Sequence, residues 1–164
     1  MGLPGAGKTT AAQRAAELLG APWHDLDSAI VSASGKSVRE IFSELGEPNF
    51  RALERSAMDI ALAQPQIIAA GGGWAAEPGG MEAAELRALI IYLSLSPEVA
   101  AARLHGATDR PLLSDAPHVE RLTQLLAARE ARYRLAGIEI AVGELSSERT
   151  AQAVASAARH YGGW

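Results

Sequence analysis

The sequence contains no cysteine, so neither a disulfide nor a thiolate metal site can form. It also lacks a basic excess: 15 Lys and Arg face 19 Asp and Glu, for a net charge of -4. That is the wrong sign for a protein that lives on nucleic acid or an anionic membrane, so no nucleic-acid partner is expected and any bound anion must be held locally. No apolar run approaches the roughly 20 residues that cross a bilayer. No basic-then-apolar leader precedes Gly2, and the expected location is cytoplasmic. Aromatic residues are scarce at 5%, and the 48% hydrophobic content leans on Ala, Leu and Ile, a helix-rich composition.

What is present is 164 residues, enough for a single domain (1–164) with a real core. There is no repeat, low-complexity tract or linker. The chain opens on MGLPGAGKTT, in which Gly2, Gly7, Lys8 and Thr9 fill every fixed position of the G-x-x-x-x-G-K-[ST] phosphate loop. A chain of this length matches that pattern by accident about once in two hundred cases. Glycines let backbone N–H groups converge on an anion, and the following helix adds the positive end of its dipole. Lys8 then reaches the β- and γ-phosphates and the Thr9 hydroxyl can ligate magnesium. The motif alone says nucleoside triphosphate, and leaves kinase, switch and motor open.

Along the rest of the chain, periodicity predicts a helix over 8–19, stopped by Gly20 and Pro22. A short strand in APWHDLD follows, carrying Asp25 and Asp27 on the same side of its carboxyl end. Two short helices are expected at 28–34 and 37–45, and a longer one at 50–63. Strands are expected at 66–70, 88–96 and 138–142, with helices from Pro97 to Leu104 and from Ser147 to Tyr161. Strands separated by helices imply βαβ units, a parallel sheet and helices on both faces, an α/β three-layer fold.

Several pieces then recur in a fixed order: HDLDSAI, the FRALE that sets Arg51 and Glu54 three apart on one helix, AAGGG, DRPLL and AAREARYR. In this combination the chain resembles the shikimate kinase family, from Gly2 almost to its end. The resemblance implies the P-loop, nucleoside monophosphate kinase-like fold with sheet order 2-3-1-4-5, ATP and Mg2+ as cofactors, a monomer, and transfer of phosphate to the 3-hydroxyl of shikimate in aromatic amino acid (chorismate) biosynthesis. It implies nucleotide contacts from Gly2, Gly5, Ala6, Gly7, Lys8, Thr9 and Thr10, with Arg103 against the adenine. It further implies that Arg51 and Arg129 clamp the shikimate carboxylate, while Asp27 and the backbone of Gly71, Gly72 and Gly73 hold the ring hydroxyls. The substrate-binding segment spans about 28–63.

Independent chemistry runs alongside. Asp25 beside the loop can hold magnesium through water, with Thr9 as the other metal-site residue, and Asp27 can orient or deprotonate an acceptor hydroxyl. Arg51 offers a fork for a carboxylate that Glu54 can fix, although such a pair is by itself often a surface ion pair. Three glycines in a row suit close approach of a ligand to the backbone, or simply a flexible turn. The segment 105–117 has the polar, turn-rich composition of a lid, from which Arg110 would supply charge to the transferring phosphoryl group and exclude water. Lys8, Asp27 and Arg110 are thus the expected catalytic residues.

Two rivals remain at this level. Another small-molecule kinase, such as one acting on gluconate, would use the same carboxylate clamp, and a non-catalytic sensor domain would keep the pocket and lose turnover. Val31 departs from the acid the family commonly carries after DLDSAI. The four histidines and the Gly-Gly-Trp tail receive no role. Only Met1 precedes the phosphate loop, so the central strand of the family sheet is expected to be missing here, and the functional chain is expected to begin several residues upstream.

Overall fold

The computed structural model describes residues 1–105 and 118–164. The expected lid from 106 onward, with Arg110, lies outside the described residues.

Helix α1 (Lys8–Leu19) is bracketed by Gly7 and Gly20, whose φ values of 79° and 64° are left-handed turns into and out of the helix. Its buried face is all alanine (Ala11, Ala12, Ala15, Ala16), and it packs closely against α7 (Ser147–Tyr161), which buries Ala151, Val154, Ala155 and Ala158. Strand β1 (Trp23–Asp25) ends where the Asp25 carboxylate accepts from the Ser28 N–H at 3.0 Å and starts α2 (Leu26–Ser34). This corrects the expected strand end: Asp27 sits in the first turn of α2, not on the strand beside Asp25. Leu26 between them is fully buried.

The two helices expected at 37–45 and 50–63 join as α3 (Val38–Ala61), kinked at Gly46, where φ 79° and ψ 167° break the helical path two residues before Pro48. A capping box between Ser37 and Glu40 fixes its start. Strand β2 (Ile67–Ala69) leads into the triple glycine, a short 3-10 turn (Trp74–Ala76) and α4 (Gly80–Glu85), neither of which the periodicity signalled. Strand β3 (Ile91–Ser94), α5 (Pro97–Leu104), α6 (His118–Tyr133) and β4 (Ile138–Ala141) complete the chain. No described helix is long and apolar enough to cross a membrane.

All pairing among the described strands is parallel, in two separate halves: β1 with β2 (Trp23 opposite Ile67) and β3 with β4 (Ile91 opposite Ile138). Between the halves lies a space of about 730 Å³, walled by β2, β3 and small residues of α1 and α7, with Gly162–Trp164 along its rim. Met1 alone reaches across part of it. Its N–H group donates to the Ile91 carbonyl and its carbonyl accepts from the Leu93 N–H, both at 2.9 Å, the parallel-ladder pattern around Tyr92. Met1 thereby joins the phosphate loop to β3.

Candidate active site

A cleft of about 500 Å³ opens above the carboxyl ends of β1 and β2. One wall is the phosphate loop. Gly5 (φ 85°) and Gly7 (φ 79°) take backbone angles that side chains disfavour, and Gly5 also passes the Ala100 carbonyl too closely for a Cβ, at 2.9 Å. Gly5, Gly7, Lys8, Thr9 and Thr10 line the cleft, whereas Ala6 and Gly2 are buried beneath the loop. Within that loop the Lys8 ammonium donates to the carbonyls of Gly2 (3.1 Å) and Leu3 (2.9 Å), which shape the loop around its own cation.

Beside the loop the Thr9 hydroxyl donates to Asp25 at 2.6 Å, while the second oxygen of Asp25 caps α2. A hydroxyl and a carboxylate at the mouth of an anion nest suit a hard, oxygen-seeking cation such as Mg2+, which completes its shell with phosphate oxygens and water. The donor set fits that ion. Among the described residues no cluster of three or more His, Asp or Glu offers a closed metal cage.

The opposite wall carries the fork. Arg51 and Glu54 face each other one turn apart on the second leg of α3 and are buried, at 6% and 2% exposure. Glu47, at the corner after the Gly46 kink, accepts from the same guanidinium at 2.7 Å, and Glu77 stands 3.8 Å from its Nε. Burial works against the charge of Arg51, but Glu54 and Glu47 outweigh it and hold the guanidinium protonated. Burial raises the Glu54 carboxyl, against the pull of Arg51. Asp27 and Arg129 both act on that carboxyl through their charges, so Asp27, Arg51, Glu54 and Arg129 form one group. The pair is therefore a buried element of the cleft and not the solvated ion pair that its spacing alone allows.

The glycine strap has a structural cause that the sequence did not reveal. A Cβ on Gly73 would run into the Arg51 guanidinium, one on Gly71 would come within 2.9 Å of a Glu54 oxygen, and one on Gly72 would meet the Tyr133 hydroxyl. The strap is bare because side chains of the protein itself lie on it. Its backbone also lines the cleft. Arg103 lines the cleft as well, and donates to the carbonyls of Val142 (2.8 Å) and Gly143 (3.1 Å) beyond β4. Sequence reasoning missed Tyr133, Glu47 and the tilted pair of rings of Phe42 and Phe50, whose centroids are 4.6 Å apart on the cleft wall. Only Tyr133 left a signal, one helical turn after Arg129. Of the nearby arginines, Arg132 on α6 pairs with Glu82, and Arg134 just past its end pairs with Glu130, both on the surface.

A phosphate loop on α1, strands in parallel and an anion fork facing the loop define a P-loop kinase of the nucleoside monophosphate kinase-like class. Comparison with known proteins narrows the class. The family model described as shikimate kinase matches residues 4–159. A shikimate kinase of Caulobacter vibrioides is 35% identical across 97% of this chain and 80% of its own length, and one of Mycobacterium leprae is 37% identical across 82% and 67%. Among solved structures, the Bacteroides thetaiotaomicron shikimate kinase superposes with a TM-score of 0.89 at 30% identity, covering 97% of this chain and 96% of its own. The Acinetobacter baumannii shikimate kinase in complex with shikimate gives 0.88 at 30% identity, covering 93% and 87%. The chain belongs to the shikimate kinase family. Its half-sheets β1-β2 and β3-β4 occupy the outer places of the family order 2-3-1-4-5, with the space between them at the central one.

Gly73 offers a clean test of the strap, because its backbone (φ -71°, ψ -43°) is one that alanine adopts freely. Gly73→Ala should lower stability by about 1–3 kcal/mol through the clash with Arg51 alone. Gly143→Ala, whose Cβ finds nothing nearer than 4.0 Å, should change it little. Equal unfolding midpoints for the two variants would show that Arg51 does not rest on the strap.

Proposed function

We propose that this protein transfers the γ-phosphoryl group of ATP to the 3-hydroxyl of shikimate. The observation that carries the reading is a single cleft whose one wall is the Lys8 loop with Thr9 and Asp25, and whose other wall is Arg51, Arg129, Asp27 and the glycine strap. The two walls suit a nucleotide and a compact polyhydroxylated carboxylate side by side, and membership of the shikimate kinase family supports that pairing.

In this scheme the loop backbone and the positive end of α1 hold the β- and γ-phosphates, and Lys8 turns from its loop carbonyls to the transferring group. Thr9 and Asp25 would hold Mg2+, which when bound offsets phosphate charge. Arg51 and Arg129 fix the acceptor carboxylate, with Glu54 and Glu47 keeping the Arg51 fork in one orientation. The strap and Asp27 meet the ring hydroxyls, and Asp27 orients the attacking hydroxyl and receives its proton as the new O–P bond forms and the bond from the γ-phosphorus to the bridging oxygen breaks, with ADP leaving. Arg103 closes the nucleotide side, and Arg110 supplies charge from the lid. Positioning and charge carry the catalysis, with no covalent intermediate on the protein.

Release of ADP by the purified protein with ATP and Mg2+ should depend on shikimate. Release that depends instead on gluconate would assign another acceptor, and shikimate binding without turnover would make the domain a sensor. Asp27→Asn should lower kcat by about a hundredfold or more. Its KM for ATP should stay close to that of the parent, because Asp27 lies on the acceptor wall; unchanged kcat would remove Asp27 from the chemistry.

A further inference from the structure

Tyr133 ends α6 and is fully buried, at 0% exposure. Its hydroxyl donates to the Gly72 carbonyl at 3.0 Å, and the charge of Arg129, one turn earlier on the helix, bears on it. Its ring leans on Tyr92 of β3, with centroids 5.1 Å apart. A Cβ on Gly72 would strike this hydroxyl and also stand 2.7 Å from the Gly2 carbonyl, so both oxygens crowd the same bare face of the strap. The Tyr133 hydroxyl thus holds the strap beside the first residue of the phosphate loop.

We infer that Tyr133 is a positioning residue for the acceptor: its hydroxyl, bonded to the Gly72 carbonyl, ties the glycine strap to the helix that carries Arg129. The inference rests on the proposed roles of Arg129 and Gly71–Gly73. The phenyl ring alone would fill the same space against Tyr92 and leave the strap untied.

Tyr133→Phe removes the oxygen and keeps the packing. The KM for shikimate should rise about three- to tenfold, the worth of one buried hydrogen bond. The kcat and the KM for ATP should stay within about twofold, the pattern of lost acceptor binding. Amide hydrogen exchange at Gly73, the N–H next to the released Gly72 carbonyl, should quicken about tenfold while that of Ala155 in the core of α7 stays constant. An unchanged KM for shikimate, or a matching rise in both KM values with a fall in thermal stability, would reduce Tyr133 to a packing residue. Should shikimate prove not to be the acceptor, the proposed function falls, while exchange at Gly73 still decides the inference: unaltered exchange overturns it.

Discussion

The ion pair between Arg51 and Glu54 sets conditions that much of the cleft is built to meet. Charges taken out of water recover their hydration only through close, well-oriented partners, and removing one partner of a buried pair costs about 3–5 kcal/mol. The guanidinium is accordingly surrounded: Glu54 and Glu47 share it, and Glu77 stands 3.8 Å from its Nε. Room for the pair comes from Gly71 and Gly73, where a side chain would collide with it. Glu47, one turn before Arg51 on the second leg of α3, meets it as an i,i+4 pair. A glycine strap and three carboxylates therefore answer to one arginine, and that arginine faces the cleft.

The nucleotide end follows a different logic. It relies on backbone conformation: left-handed glycines at 5 and 7, the start of α1, and carbonyls that collect around Lys8. Such a loop needs a firm base, and the base is β3, reached through Met1 and through the close passage of Gly2 over the Leu93 carbonyl. The space between the two half-sheets lies beside this attachment. By contrast the acceptor wall is tied down by buried side chains, Tyr133 and Leu26 among them.

The phosphate loop, α1, the parallel strands and the Arg51–Glu54 spacing were all legible in the sequence, because each depends on local pattern. The place of Asp27 was not. Alternation along a strand put it beside Asp25, but the Asp25 carboxylate found the Ser28 N–H and began a helix two residues sooner than hydrophobic spacing indicates. Capping competes with strand extension over single residues, a contest that periodicity does not register. The glycine strap was legible as close approach but not as approach by what: the partners, Arg51, Glu54 and Tyr133, come from residues about 20 and 60 positions away. The 3-10 turn at Trp74 and the six-residue α4 are too short for a periodic signal.

The central claim is that Arg51 and Arg129 form one carboxylate site facing the phosphate loop. A crystal structure of this chain with shikimate and ADP tests it directly. The account predicts the shikimate carboxylate on both guanidinium groups, a ring hydroxyl on Asp27, and the 3-hydroxyl turned toward the nucleotide. A carboxylate bound away from Arg51, with the Arg51–Glu54 pair untouched by ligand, would contradict it.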